Sequence, residues 1–395
     1  MNAQRLLLDG TVNTLPSDII ENIIWRLPTE EIVRASILSK QWRYNWTKIP
    51  KVVFVEHLFA KSTDENQLRL IEQSFGEPQS EMKKGPLVDF TFSMWDMWDT
   101  DSKYLVEIDQ ILLHLARKNT VKRLHLRSGY DFPSSIFSFH QLTDLHLDGC
   151  SIKNTSTFNG FGSLTTLYLE DIDYIYKEAL MNFLSNNPLL KCFTILTRDH
   201  DSIVISKNDV YGTINDLFQC LPVIEHLTLS VRNFKRFHSE VMIPQEVATS
   251  LVHLKYLCLE EMDFVVVVND CLRYLLLMIR SSPNLEKLKL QMMWESSNDC
   301  MDLYYDTTQN CLDIWLEHLI ELEIEDFDNT KPELEFVKLI LAKSPILKNV
   351  RLKVYDMDEE VKLLEAQLPS PRASPNVVII AKHGGKEHVI LHRSN

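Results

Sequence analysis

One spacing recurs through most of this chain: an apolar residue, two of any kind, a second apolar residue, one of any kind, and a third. It occurs as Leu87/Phe90/Phe92, Val121/Leu124/Leu126, Leu142/Leu145/Leu147, Leu164/Leu167/Leu169 and Leu190/Phe193/Ile195. It continues as Ile224/Leu227/Leu229, Leu254/Leu257/Leu259, Leu285/Leu288/Leu290, Leu319/Leu322/Ile324 and Leu347/Val350/Leu352. The first positions lie 21 to 34 residues apart. The last two apolar residues of each set alternate at period two, which puts them on one side of a short strand. A single such strand cannot bury that side alone. Repetition therefore demands a stack in which neighbours share one continuous core. Val52–Val55 reads as a leading strand. Between repeats, Ile108–Ala116 and Cys271–Ile279 suit helices, and Asn186-Asn187-Pro188, Ser281-Ser282-Pro283 and Ser344-Pro345 mark helix stops just before a strand.

These registers resemble leucine-rich repeats, whose consensus continues x-x-(Asn/Cys)-x-Leu. The run from Leu142 to Cys150 and Ile152 obeys it in full, whereas Ile172, Met262, Met293 and Phe327 stand at the polar position elsewhere. The expected class is α/β: an irregular solenoid with parallel strands on the concave face, and helices and loops on the convex face. In each strand the residue between the last two apolar positions points away from the core. Those residues are His125, His146, Tyr168, Thr194, Thr228, Cys258, Lys289, Glu323 and Arg351. They are the candidate surface for a protein substrate, with Cys258 expected to face solvent. Glu321, Glu323, Glu325 and Asp326 are expected to form a solvated acidic face.

Residues 11–50 follow different rules. Leu15-Pro16 before Ser17-Asp18 suits a helix start, and Ile19, Ile20, Ile23, Ile24 and Leu27 recur at helical spacing. Leu27-Pro28 ends that helix; Thr29 with Glu30 and Glu31 can open a second. A third carries Trp42 and Trp46. Three short helices in about forty residues are too few to bury a self-sufficient core. From the residues alone, a helical cap on the following repeats and a helix-turn-helix both remain open. Five basic against four acidic residues in this segment leave no basic stripe for nucleic acid.

The run from Leu15 to Trp46 also resembles the F-box, through Leu15-Pro16, Ile19, Ile23, Leu27-Pro28, Val33-Arg34, Leu38-Ser39 and Trp42-Arg43. That resemblance implies docking onto a Skp-type adaptor of a cullin–RING ubiquitin ligase, through Leu15, Pro16, Ile19, Ile23, Leu27, Pro28, Val33, Leu38 and Trp42. The segment from His318 to Val354, followed by Pro371–Ile380, resembles the FBD module of plant F-box proteins. There two strands bracket an amphipathic helix, with Leu334, Val337 and Leu341 facing inward, and a terminal hairpin follows. The expected order is a short N-terminus (1–10), a three-helix F-box (11–50), a repeat solenoid (51–310) and an FBD module (311–392).

Composition removes several other functions. The chain has 41 basic and 55 acidic residues, a net charge of −14, which opposes binding to phosphate backbones and anionic membranes. Its ten glycines include neither a G-x-G-x-x-G nor a G-x-x-x-x-G-K-[ST] spacing. The longest apolar runs, Phe264–Val268 and Leu275–Ile279, fall far short of the ~20 residues that span a bilayer. Seven cysteines, an odd number, do not read as a disulfide framework, so a reducing compartment, cytoplasm or nucleus, is expected. No His-Glu-x-x-His, Gly-x-Ser-x-Gly or Cys-x-x-Cys occurs, and no metal-ligand spacing joins the thirteen histidines and seven cysteines. The expectation is a non-catalytic adaptor without cofactor that joins a protein substrate to a ligase. The alternative is an interaction protein that binds a Skp-type adaptor without an assembled ligase.

Overall fold

The computed structural model describes residues 15–24, 26–27, 31, 42, 50–55, 87–94, 103–128, 134–152, 158–172, 174–175, 177–196, 214–230, 251–262, 270–292, 315–355, 361–362, 364–366, 368 and 372–391. The chain divides into two units, Met1–Leu189 and Leu190–Asn395.

In the first unit, helix α1 (Ser17–Ile24) is followed by strands β1 (Lys51–Val55) and β2 (Asp89–Met94), helix α2 (Lys103–Lys118), and strands β3 (Arg123–Ser128) and β4 (Asp144–Asp148). Then come β5 (Ser151–Ile152), β6 (Thr166–Glu170), β7 (Tyr174–Ile175) and helix α3 (Lys177–Ser185). Strands β1, β2, β3, β4 and β6 pair in that order, all parallel, while β5 and β7 pair separately. Register follows the sequence spacing: Phe90 lies beside Leu124, Leu124 beside Leu145, and Leu145 beside Leu167. All are buried, as are Ile111, Leu112 and Leu115 of α2. A backbone relay fixes where each strand begins. Lys122 and Arg123 both donate their N–H to the Val88 carbonyl, Thr143 and Asp144 to that of Lys122, and Thr165 and Thr166 to that of Thr143.

The turn ahead of β6 passes tightly against the end of α3. Asn187, buried, accepts from the Phe161 N–H at 3.0 Å and donates to the Phe183 carbonyl at 2.7 Å. Gly160 adopts φ +91, and a Cβ there would lie 1.9 Å from the Asn186 carbonyl oxygen, so no other residue fits.

The second unit repeats the scheme with β8 (Cys192–Leu196), helix α4 (Ile214–Gln219), β9 (His226–Ser230), β10 (Tyr256–Met262), helix α5 (Asp270–Ser281) and β11 (Lys287–Met292). Then follow β12 (Glu321–Phe327), helix α6 (Lys331–Lys343), β13 (Asn349–Val354), β14 (Val378–His383) and β15 (Lys386–Leu391). Strands β8 to β14 pair in order and in parallel; β15 folds back antiparallel on β14. The relay recurs from the Lys191 carbonyl through those of Glu225, Lys255, Glu286 and Ile320 to Lys348. Helix α6 buries Leu334, Phe336, Val337, Ile340 and Leu341 against the sheet. It opens on a capping box in which Thr330 donates both its N–H (2.8 Å) and its hydroxyl (2.9 Å) to the Glu333 carboxylate.

The ten apolar registers are all buried, and the helix stops fall where proline and the polar pairs put them. The missing polar ladder has a structural substitute. Gly149, Asp171, Glu261 and Asp326 all take positive φ at the strand exits. The next residue of each, Cys150, Ile172, Met262 and Phe327, is thereby turned into the core and fully buried. An apolar side chain fits there as well as an asparagine would. Met293 lies outside the described residues.

Candidate functional site

Helix α1 presents apolar residues on two faces. Ile20 and Ile24 are buried at 0% and 1% exposure, while Ile19 and Ile23 stand out at 41% and 36%. Pro16 starts the helix, its carbonyl accepting the N–H groups of Ile19 and Ile20. Pro16 is exposed and Leu15 and Leu27 are half-buried. Trp42, expected among the adaptor contacts, has only 6% of its surface accessible: a ring this bulky finds cover within the chain. Pro28, Val33 and Leu38 lie outside the described residues, as does most of the segment expected to hold the second and third helices.

On the open face of the first unit, His125, His146 and Tyr168 occupy one register across β3, β4 and β6. The imidazoles of His125 and His146 stack with centroids 3.9 Å apart and planes 4° from parallel; Tyr168 tilts against His146 at 4.1 Å. Two residues further along the same strands, Arg127, Asp148 and Glu170 form a second row. Arg127 Nε lies 3.1 Å from Asp148 Oδ2, and His146 Nε2 lies 3.5 Å from Glu170 Oε2. Burial, reinforced by the nearby Arg127 charge, lowers the His125 pKa from its usual range, against a smaller opposing pull from Asp89. His125 is therefore held neutral near pH 7. Neither spacing nor motif in the sequence joined these groups, because the signal lies in cross-strand register: His125 and His146 share one repeat position.

The open face of the second unit has another chemistry. Thr194 and Thr228 sit side by side, half-buried. Cys258 follows in register and does not face solvent: it is 3% exposed. A thiol is short, and longer neighbours, Tyr256 on its own strand and Lys289 beside it, stand over it. Burial first, then the charge of Glu260, pushes the thiol up to about 11, so it is no nucleophile near neutral pH. Beyond it lies an ion-pair ladder. Lys287 reaches Glu323 at 3.0 Å and Glu321 at 3.5 Å, Lys289 reaches Glu325 at 3.3 Å, and Arg351 pairs with Glu321. Burial works to lower the Lys289 pKa, but Glu325 and its neighbours outweigh it and raise the value. Glu321, Glu323 and Glu325 are thus half-buried and paired rather than a solvated acidic face.

Two family models match parts of the chain. A family model described as F-box domain matches residues 13–52, which include α1 and Trp42. A second, described as At1g61320/AtMIF1, LRR domain, matches residues 87–198, from β2 to β8. An F-box/FBD/LRR-repeat protein of Arabidopsis thaliana is 26% identical over 424 aligned residues, covering 93% of this chain and 97% of that protein. The chain carries an F-box domain and a leucine-rich-repeat domain and is similar over most of its length to plant F-box/FBD/leucine-rich-repeat proteins. An FBD-associated F-box protein of the same plant is 26% identical and covers 86% of this chain and 89% of its own length. Among solved structures, the leucine-rich repeat-containing protein LegL7 from Legionella pneumophila covers 87% of this chain and 88% of its own, at 15% identity and a TM-score of 0.33. For this F-box/leucine-rich-repeat chain, no helix among the described residues is long and apolar enough to cross a membrane.

Proposed function

We propose that this protein is the substrate-recognition subunit of an SCF-type ubiquitin ligase. The F-box match at residues 13–52, on a helix that leaves Ile19 and Ile23 outward, is the observation that carries the reading. Isolated helices of this length do not leave two isoleucines in water without cost, and a partner that covers them supplies the missing apolar contact. In this reading 11–50 forms a three-helix F-box that meets a Skp-type adaptor through Leu15, Pro16, Ile19, Ile23, Leu27, Pro28, Val33 and Leu38, while buried Trp42 holds the module together. The repeats bind a protein substrate, and 311–392 is an FBD module that closes the chain. The chain does no covalent chemistry; it raises the local concentration of a substrate lysine near the charged ubiquitin carrier.

The test is a titration of the full chain against a recombinant Skp-type adaptor. Replacing Ile19 and Ile23 by Asp should weaken binding by well over ten-fold, on the scale of interface anchors, with the thermal melt of the repeats unchanged. Equal binding by parent and variant sinks the assignment. Co-purification of a cullin separates an assembled ligase from adaptor binding alone.

A further inference from the structure

The open face of the first unit gathers more ligand chemistry than substrate docking uses. One ring nitrogen each from His125 and His146 and a carboxylate oxygen of Asp148 lie within 4.8 Å of one another. Glu170 adds a second carboxylate 3.5 Å from His146 Nε2. Asp148 and Glu170 are cross-strand neighbours, each with only 5% of its side chain exposed. Two carboxylates side by side away from water repel each other unless a cation stands beside them, a part that Arg127 takes next to Asp148. His125 Nε2 is buried and has no hydrogen-bond partner among the described residues.

We propose that His125, His146 and Asp148, with Glu170 as fourth ligand, bind a divalent metal ion of borderline softness such as Zn²⁺. Two imidazoles and two carboxylates suit that class, and tetrahedral coordination at ~2.0–2.1 Å spaces donor atoms about 3.3 Å apart. The donors of His125, His146 and Asp148 must therefore close by at most about 1.5 Å, a movement of side-chain rotamers rather than of the sheet. Neutral imidazole is the ligating form. Arg127, 3.1 Å from Asp148, takes the part of the outer partner that orients a ligating carboxylate, while Tyr168 against the His146 ring fixes the plane of that imidazole. All the residues fall within the same three consecutive positions of three adjacent strands, so the backbone pre-sets their spacing. A metal held there would bridge three repeats.

The experiment uses the full chain, freed of tags and dialysed against a chelator, titrated with Zn²⁺ by calorimetry and with Co²⁺ by visible absorption. The parent should bind one equivalent, and Co²⁺ should give the intense d–d bands of a four-coordinate site. His125→Gln, half-exposed and harmless to the core, should weaken binding at least ten-fold, and Asp148→Asn likewise. His388→Gln, which removes a histidine paired with Glu365 at 3.1 Å in the other unit, should leave the affinity unchanged. Absence of saturable Zn²⁺ and Co²⁺ binding overturns the proposal, leaving a His146–Glu170 ion pair only. So does parent-like affinity in the His125 variant, whose fold is checked by circular dichroism.

Discussion

Two open faces, built from the same repeat and the same parallel pairing, carry different electrostatics. In the first unit, stacked imidazoles and a tyrosine run beside a row of one arginine and two carboxylates. In the second, the glutamates of β12 are paired with lysines of β11 on one side and Arg351 of β13 on the other. A leucine-rich strand thus dictates what lies behind the sheet and leaves what lies in front unconstrained. The two fronts should therefore respond to different solution conditions, the imidazole face to pH and the ladder to salt.

The comparison breaks first at what both units share. Leu145→Ala and Leu257→Ala each remove a side chain exposed by 1% or less. Each should cost about 2–5 kcal/mol and lower the melting temperature and soluble yield alike. A large difference between them would show that the two cores are not equivalent.

Next in size is an asymmetry behind the second face. Burial, against the opposing hydrogen bonds from Thr330 and Asp328, holds the Glu333 carboxyl up to about 7. A raised carboxyl makes folding take up a proton, so its contribution is complete below an unfolded value of ~4.5 and is lost as pH rises through about 7. Glu333→Gln keeps the cap acceptor without the charge. It should stabilise the protein by on the order of 2 kcal/mol at pH 8 and by almost nothing near pH 4.5, as read from denaturant melts at the two pH values.

The ladder comes third. Lys287→Met leaves Glu321 and Glu323 without their shared lysine and should cost about 1 kcal/mol at low salt, with the difference narrowing in ~1 M salt. A salt-independent loss would assign Lys287 a packing role over the Tyr256 ring, 5.9 Å away. The smallest effect belongs to the imidazole face. Because the His125 pKa is lowered on folding, the unfolded chain binds more protons once pH falls below ~6.5, and stability declines there. His125→Gln should flatten that acid decline with little change at pH 8; the same slope in both proteins would move the acid sensitivity to another group.

The strand registers, the helices at Lys103–Lys118 and Asp270–Ser281, and the terminal hairpin were legible because burial imposes period two or 3.6 on apolar residues, and chain order supplies the rest. The positive-φ turns were not. Asp171, Glu261 and Asp326 look like ordinary surface acids, and only the exit geometry of each strand requires their backbone conformation. Cys258 was misplaced because alternation gives the side of the sheet a residue occupies and not the height of its neighbours. The ion-pair ladder needed the cross-strand register of lysines and glutamates 34 residues apart, as between Lys289 and Glu323. The two imidazoles and their carboxylates escaped for the same reason, being neighbours through pairing rather than through sequence.

Most of the parallel strands take their starting level from one carbonyl at the start of the strand before, which accepts two successive N–H groups. Insertions and deletions between strands are therefore absorbed where they occur: a segment can lengthen from 21 to 34 residues while the next strand begins in phase. Error in length does not accumulate along the stack. A gene encoding such a chain can change the length between strands and still set a new side chain beside an old one on the open face, at the same height.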